Sequence, residues 1–211
     1  MSTEDTEASI TVYSDYVCPF CYLGRESLRQ YQEQREEPLE IDWRPFDLRS
    51  QKRNPDGTID HSVDDGKGED YYEQAKQNVR QLQEKYGVEM TLDIATDIDS
   101  LPAQVASYYV AEHYDYATWL AFDRAVFDAL WQDGADIGAT DLLVDLATEA
   151  GVDGDEIRSA LDDDALRAEV REQFSAAQQQ GVTGVPTFAY DGYAARGAVP
   201  PEHLERLVEG T

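Results

Sequence analysis

The stretch Ser14-Asp15-Tyr16-Val17-Cys18-Pro19-Phe20-Cys21-Tyr22 decides how the chain is read, because it holds the only two cysteines among 211 residues. Just before it, residues 9–13 (SITVY) read as a short buried strand that ends at Ser14-Asp15. Pro19 falls where a helix would begin, and its fixed φ and missing N–H are both tolerated in a first helical turn. Leu23, Leu28 and Tyr31 then mark one apolar helical face, until Pro38 ends the segment. A Cys-x-x-Cys between a strand and a helix has a specific consequence. The first sulfur lies near unpaired backbone N–H groups at the positive end of the helix dipole, which favours the thiolate, the nucleophilic form. The second sulfur lies one turn along, within reach of a disulfide to the first. Cys18 is therefore the candidate attacking sulfur and Cys21 the candidate resolving sulfur on the more buried side.

Three other readings of the pair are weaker. A zinc site takes about four ligands, whereas no other cysteine exists and His61, His113 and His203 are scattered without ligand spacing. No metal is expected. A structural disulfide closing so short a loop removes little entropy from the unfolded chain. Two inert core thiols stay open as an alternative. The redox-active pair is the favoured reading, and it needs no cofactor beyond the Cys18–Cys21 disulfide itself.

Working outward, Leu39-Glu40-Ile41-Asp42-Trp43-Arg44 alternates apolar and polar residues and reads as a second strand. Residues 48–70 are loop-like, rich in Asp, Gly, Asn and Pro. From Asp70 to about Gln180 the pattern is helical throughout. YYEQAKQNVRQLQEKYG closes at Gly87, and PAQVASYYVAEHY and DYATWLAFDRAVFDALWQDG follow it. In TDLLVDLATEAG, Thr140 is an N-cap candidate and Gly151 a stop signal; DGDEIRSALDD and DALRAEVREQFSAAQQQG complete the series. Strands return at Val185–Tyr190, with Asp191-Gly192 as a hairpin turn before Tyr193-Ala194-Ala195. A last helix starts at Pro200-Pro201-Glu202, with Leu204, Leu207 and Val208 on one face. Within Gly181-Val182-Thr183-Gly184-Val185-Pro186-Thr187, Pro186 cannot donate to a ladder and so belongs at a bend or edge. X-Pro bonds are where cis peptides occur, and a cis bond would turn the Val185 backbone towards an extended substrate; an ordinary trans loop proline is the competing reading.

Charge bounds the setting. With 44 acidic against 17 basic residues the formal net charge is −27, and hydrophobic residues at 41% suffice for a packed core. The acids are spread along the chain (EDTE, REEPLE, SVDDGKGED, LDDDAL), and the only lysines are Lys52, Lys67, Lys76 and Lys85. A partner-binding surface or a nucleic-acid mimic are alternatives, but the spread fits a whole surface adapted to salt. Molar salt screens such self-repulsion by shortening the Debye length to ~3 Å. A cytoplasmic protein of a halophile is the expectation. Nucleic-acid phosphates would be repelled. No apolar run approaches the ~20 residues of a membrane span, and the polar, acidic MSTEDTEAS start is the opposite of a secretory signal.

Taken together, SDYVCPFCYLG, DIGATDLLVDLATEAGVD, GVTGVPTFAYDG and RGAVPPEHL resemble the FrnE-like branch of the DsbA family, and the resemblance spans nearly the whole chain. It implies an α/β thioredoxin-like fold with a large all-helical insertion. The core would be residues 1–47 and 181–211, and the insertion residues 48–180. It further implies thiol–disulfide exchange with protein or peptide substrates, reset by a cellular thiol reductant or oxidant. Carried over by position, Cys18 is the nucleophile, Cys21 the resolving thiol and Pro186 a cis-proline facing them, with Val185 offering its backbone to substrate.

Two departures stand out. DsbA has His between its cysteines where this chain has Phe20, so a weaker oxidant than DsbA is expected, and Asp15 nearby opposes the thiolate further. Relatives carry an Asn-[Ser/Thr]-x-x-Ala-His-Arg-like segment where this chain reads Asp99-Ser100-Leu101-Pro102-Ala103-Gln104-Val105, which implies an altered polar wall of the cleft. Around the dithiol, Pro19, Phe20 and Tyr16 are candidates for an apolar rim that holds peptide side chains. Tyr22 either packs beneath the pair or modulates it. Asp15 either assists deprotonation of Cys21 through water or serves the strand-end turn. Trp43, Trp119, Trp131, Tyr71-Tyr72 and Tyr108-Tyr109 read as core or cleft-lining aromatics. An enzyme like 2-hydroxychromene-2-carboxylate isomerase or a kappa-class glutathione transferase is the alternative, since these share the fold. They place Ser at the nucleophile position and lack the second Cys, so retention of both cysteines argues against them. A redox-regulated chaperone or binding module is a further alternative.

Overall fold

The structure is a computed structural model that describes residues 8–64, 66, 68–92 and 98–210. The acidic start at residues 1–7 and Lys67, both read above, lie outside the described residues. A four-stranded sheet forms the base. Its strands are β1 (Ala8–Ser14), β2 (Leu39–Pro45), β3 (Thr187–Tyr190) and β4 (Tyr193–Arg196), in the order β2-β1-β3-β4. β1 and β2 run parallel over seven residues, from Ala8 opposite Leu39 to Ser14 opposite Pro45. β3 is antiparallel to β1, and β4 antiparallel to β3. Ile10 and Val12 of the central strand are fully buried, as alternation along SITVY requires.

The parallel β1–β2 pair needs a crossover, supplied by α1 (Pro19–Gln34), whose Leu23, Leu28 and Tyr31 are buried. Between β2 and β3 lie α2 (Glu69–Tyr86), α3 (Leu101–His113), α4 (Tyr116–Trp131), α5 (Thr140–Glu149), α6 (Gly154–Leu161) and α7 (Asp164–Gln179). A closing helix, α8 (Pro201–Glu209), follows β4 and packs on α1. Gly87 sits at φ 66° and ends α2 in the left-handed region that a glycine tolerates. α3 is the hub of the helical block, with seven of its residues buried between α4, α6 and α7. One apolar cluster runs without a break from Ile10 and Phe188 of the sheet to Val105, Phe122 and Ile157 of the helices. The helical block therefore shares its core with the sheet. No helix among the described residues is long and apolar enough to cross a membrane.

Local details differ from the sequence reading for identifiable reasons. β3 starts at Thr187, two residues later than expected, because Pro186 has no N–H for the ladder. β4 extends one residue further, with Arg196 paired to Thr187. Thr140 is the first residue of α5; Ala139 holds the cap position and no side chain caps the helix. The 48–70 stretch carries a short 3-10 turn at Ser50–Lys52 and a bridge between Arg53 and Ile59.

Candidate active site

The dithiol lies at the junction of β1 and α1. Cys18 is the N-cap of α1, with Pro19 in its first turn; its carbonyl accepts from the N–H groups of Cys21 and Tyr22, and its own N–H donates to Asp15 O at 3.1 Å. Both thiols are free; Cys21 is fully buried and Cys18 nearly so. Cys18 faces the loop before β3, with its sulfur 3.7 Å from the Val185 carbonyl oxygen. The Val185–Pro186 bond is cis. The Pro186 carbonyl accepts from Gly197 N–H at 2.8 Å, and Thr187 Oγ1 donates to Gly184 O at 2.7 Å, which ties the loop to the sheet.

Close approach of α1 to this loop depends on Gly24. A Cβ there would stand 3.0 Å from Pro186 Cγ and 3.1 Å from Phe188 Cζ. The glycine that follows Tyr22-Leu23 thus lets the helix seat against the proline loop, a requirement that only the packed structure exposes.

Cys18 opens onto a cleft of about 1040 Å³. One wall is Pro19 and Phe20 at the start of α1, and Val182, Thr183 and Val185 form another. The remaining wall comes from residues 46–75, including Leu48, Lys52, His61, Tyr71 and Tyr72. Leu48 and Tyr71 are two of the few large apolar residues left exposed, Tyr71 at 53%. They supply the apolar rim together with Phe20. The sequence already names Tyr71 as a core or cleft-lining aromatic, whereas Leu48, on a loop, carries no periodic signal.

Tyr16 is not part of that rim. It is 1% exposed, and its ring lies 4.7 Å from that of Phe127 and 6.1 Å from that of Trp43. Its hydroxyl lies 2.8 Å from Ser107 Oγ and 3.0 Å from Asp123 Oδ1, and its carbonyl accepts from Trp131 Nε1. Asp123 in turn is ion-paired with Arg25, whose guanidinium lies over the Trp119 ring. Burial, with the Asp123 charge next to it, pushes the Tyr16 hydroxyl well above its ordinary range. Its position next to the dithiol in the sequence made Tyr16 a rim candidate, but its side chain points into the helical block. Tyr22 packs under α1 on the face away from the cleft, with its hydroxyl 2.9 Å from Asp128 Oδ1 and 2.8 Å from Gln132 Nε2.

Asp15 closes the strand-end turn, one of the two roles open in the sequence, and its carboxyl stands beside the buried Cys21 thiol. It is fully buried, its carboxylate accepting from Val17 N–H at 3.3 Å and Leu48 N–H at 2.9 Å. Burial, reinforced by the Asp47 carboxylate, raises its carboxyl from 3.8 to about 6, against hydrogen bonds from Ser100, Leu48 and Val17 that pull it down. Asp47 is itself held by Arg53, at 2.7 Å, and Arg53 reaches Asp99 at 3.0 Å. Burial also pushes the Cys21 thiol well above its ordinary range, aided by its hydrogen bond to Cys18 and by the Asp15 charge, while the Asp15 backbone N–H opposes the shift.

The Asp99–Val105 segment does not wall the cleft as expected. Asp99 pairs with Arg53, and Ser100 and Gln104 are buried beneath Asp15. Their importance was missed because a polar residue at a helix start gives no sign of what it will face. Among the described residues no group of three or more His, Cys, Asp or Glu side chains is arranged to hold a metal.

The chain is 29% identical to the uncharacterized protein YwbO of Bacillus subtilis over 200 residues, 94% of each. Its fold matches a probable DsbA oxidoreductase of Streptomyces coelicolor, with a TM-score of 0.76 at 23% identity over 96% of this chain and 88% of that one. It also matches a 2-hydroxychromene-2-carboxylate isomerase, with a TM-score of 0.74 at 21% identity over 93% and 92%. Both are likenesses of fold. Residues 9–209 match the model of the DSBA-like thioredoxin domain. The sheet with its inserted helices is thus the thioredoxin-like DsbA fold, and the chain belongs to the DSBA-like thioredoxin domain family.

Proposed function

We propose that the protein is a thiol–disulfide oxidoreductase of the FrnE-like branch, exchanging electrons with protein or peptide thiols and disulfides through Cys18 and Cys21. One observation carries the reading: Cys18 stands on the wall of a cleft large enough for a peptide, while Cys21 is sealed behind it beside a buried carboxyl. As a reductant, the Cys18 thiolate attacks a substrate disulfide, forming a mixed disulfide and releasing one substrate thiolate. Cys21 then attacks the Cys18 sulfur. The Cys18–Cys21 bond forms, the bond to substrate breaks, and the second substrate sulfur leaves as a thiolate. The substrate gains two electrons and the dithiol loses them; a cellular thiol reductant resets it. Running backwards, the same steps oxidise a substrate dithiol.

Cys21 resists ionisation, so a free Cys21 thiolate is an expensive intermediate. Asp15, mostly ionised at neutral pH with a value of about 6, accepts the proton as the sulfur–sulfur bond forms. Pro19, Phe20 and the Val185 backbone line the place where a substrate chain would lie. The cytoplasm of a halophile is the setting we assign, on the strength of 44 acidic against 17 basic side chains distributed along the chain.

The test is a trap. In Cys21→Ala the mixed disulfide cannot be resolved, so adducts of Cys18 with cellular proteins accumulate and are released by dithiothreitol; Cys18→Ala in the same background forms none. Absence of adducts, together with turnover of a small thiol-bound substrate, would refute the reading in favour of isomerase-type chemistry.

A further inference from the structure

The carboxyl assigned above as the proton acceptor is buried, and among the described residues no cation stands in its hydrogen-bond shell. Its partners are the Val17 and Leu48 N–H groups, Ser100 and Gln104, all neutral. The charged and titratable groups that face it come from two elements: Asp47 from the segment after β2, its charge taken up by Arg53, and Cys21 from α1. α3 contributes only neutral groups, Ser100 at its cap and Gln104 one turn on.

Gln104 is fully buried. Its Nε2 stands among three acceptors, with Phe46 O at 3.2 Å, Ser100 Oγ at 3.3 Å and Asp15 Oδ1 at 3.4 Å. Its Oε1 is buried with no hydrogen-bond partner. An orphaned buried carbonyl costs stability and so calls for an explanation. The orientation that orphans Oε1 is the one that aims both amide hydrogens at the Asp15 pocket. The opposite orientation would set a carbonyl against the Asp15 carboxylate and the Phe46 carbonyl, two repulsive contacts between acceptors.

We propose that Gln104 is the positioning residue of the buried acid: by presenting Nε2 to Asp15 it holds the carboxylate ionised and aimed, and so sets the pH range in which Asp15 takes the Cys21 proton. The balance is that of the resolving step. The proton leaves Cys21 Sγ for an Asp15 oxygen while the Cys18–Cys21 bond forms and the substrate thiolate departs. Gln104 exchanges nothing. It stabilises the charged form of the acceptor before transfer more than the neutral form after it. The positioning itself rests on contacts alone; its consequence for catalysis rests on the exchange reading above.

The experiment uses the full-length reduced protein labelled with carboxyl-13C aspartate and side-chain 15N glutamine, assigned with Asp15→Asn and Gln104→Leu. In the wild type, the Gln104 side-chain amide resonances shift with the same midpoint as the Asp15 carboxyl. In Gln104→Leu that carboxyl midpoint moves up, by less than about one pH unit because the lost hydrogen bond is long. Gln104→Glu, which keeps the shape but replaces the donor with an acid, moves it further up. Amide resonances that stay flat through the carboxyl titration overturn the proposal, and this holds even when Gln104→Leu does not fold. An unmoved midpoint in a folded Gln104→Leu overturns it equally. If the midpoint moves but Cys21→Ala traps nothing, the positioning stands and the exchange reading falls.

Discussion

Replacing Asp15 by Asn removes the buried carboxyl beside Cys21 while keeping its shape. Asp15 titrates at about 6 in the folded chain against 3.8 ordinarily, so the folded chain holds its proton more tightly than the unfolded one. The stability this lends is full below 3.8 and is lost as pH rises through about 6. Two pH units at about 1.36 kcal/mol each make the ionised carboxyl a burden of about 3 kcal/mol at neutral pH. Of this, about 1.4 kcal/mol falls between pH 5 and pH 8, a range that stays clear of the acidic isoelectric region. Asn also sets an NH₂ either against both the Val17 N–H and Gln104 Nε2 or against the Leu48 N–H, but that cost does not vary with pH. The quantity to measure is therefore a double difference: unfolding free energy by urea, wild type minus Asp15→Asn, at pH 5 and pH 8, with the dithiol reduced. The variant should gain about 1.4 kcal/mol on the wild type across that interval. The same substitution should slow resolution of a Cys18 mixed disulfide about a hundredfold at pH 7 and abolish an inflection near pH 6 in its rate. A flat double difference, or one of opposite sign, would refute the account of Asp15.

Three further substitutions probe the frame around the dithiol. Gly24→Ala sets a methyl group 3.0 Å from Pro186 and 3.1 Å from Phe188; it should cost about 1–3 kcal/mol in urea unfolding and slow insulin reduction by shifting the proline loop away from Cys18. Arg53→Leu leaves Asp47, whose side chain is 1% exposed, without its ion pair; denaturant unfolding should show a loss of about 3–5 kcal/mol, and the Asp15 carboxyl should titrate higher still. The wild-type dithiol should titrate below the about −120 mV of DsbA in a thiol-alkylation gel shift against a redox buffer. Phe20→His should raise that potential, by about 30 mV for each tenfold change in the exchange constant, and an unchanged potential would remove Phe20 as its determinant.

What was legible in the sequence was local. The turn from SITVY into Cys-Pro-x-Cys, the helical faces from Asp70 onward and the Asp-Gly hairpin are patterns of period two or 3.6 and of single turn residues. Backbone sterics act over the same few positions, and the strands and helices formed close to where those patterns put them. Pro186 was legible as a break before a strand, but the contact of its neighbour Val185 with Cys18 crosses a separation of 167 residues that no local pattern spans.

The tertiary structure decided which polar groups would lose their water, and with them the character of the site. Tyr16 and Asp15 are neighbours in the chain, yet one points to Asp123 among the helices and the other lies under the dithiol against Leu48. Ser100 and Gln104 read as a variant cleft wall and became the floor beneath Asp15. Leu48, on a segment without periodicity, joined Tyr71 and Phe20 on the rim of the cleft. The dithiol and the helix that starts on it were written in nine consecutive residues. Whether an acid beside them titrates as an ordinary surface carboxylate or near 6 depends on burial and on Asp47 and Ser100, which only packing brings to it, because desolvation is a property of the fold and not of any stretch of chain.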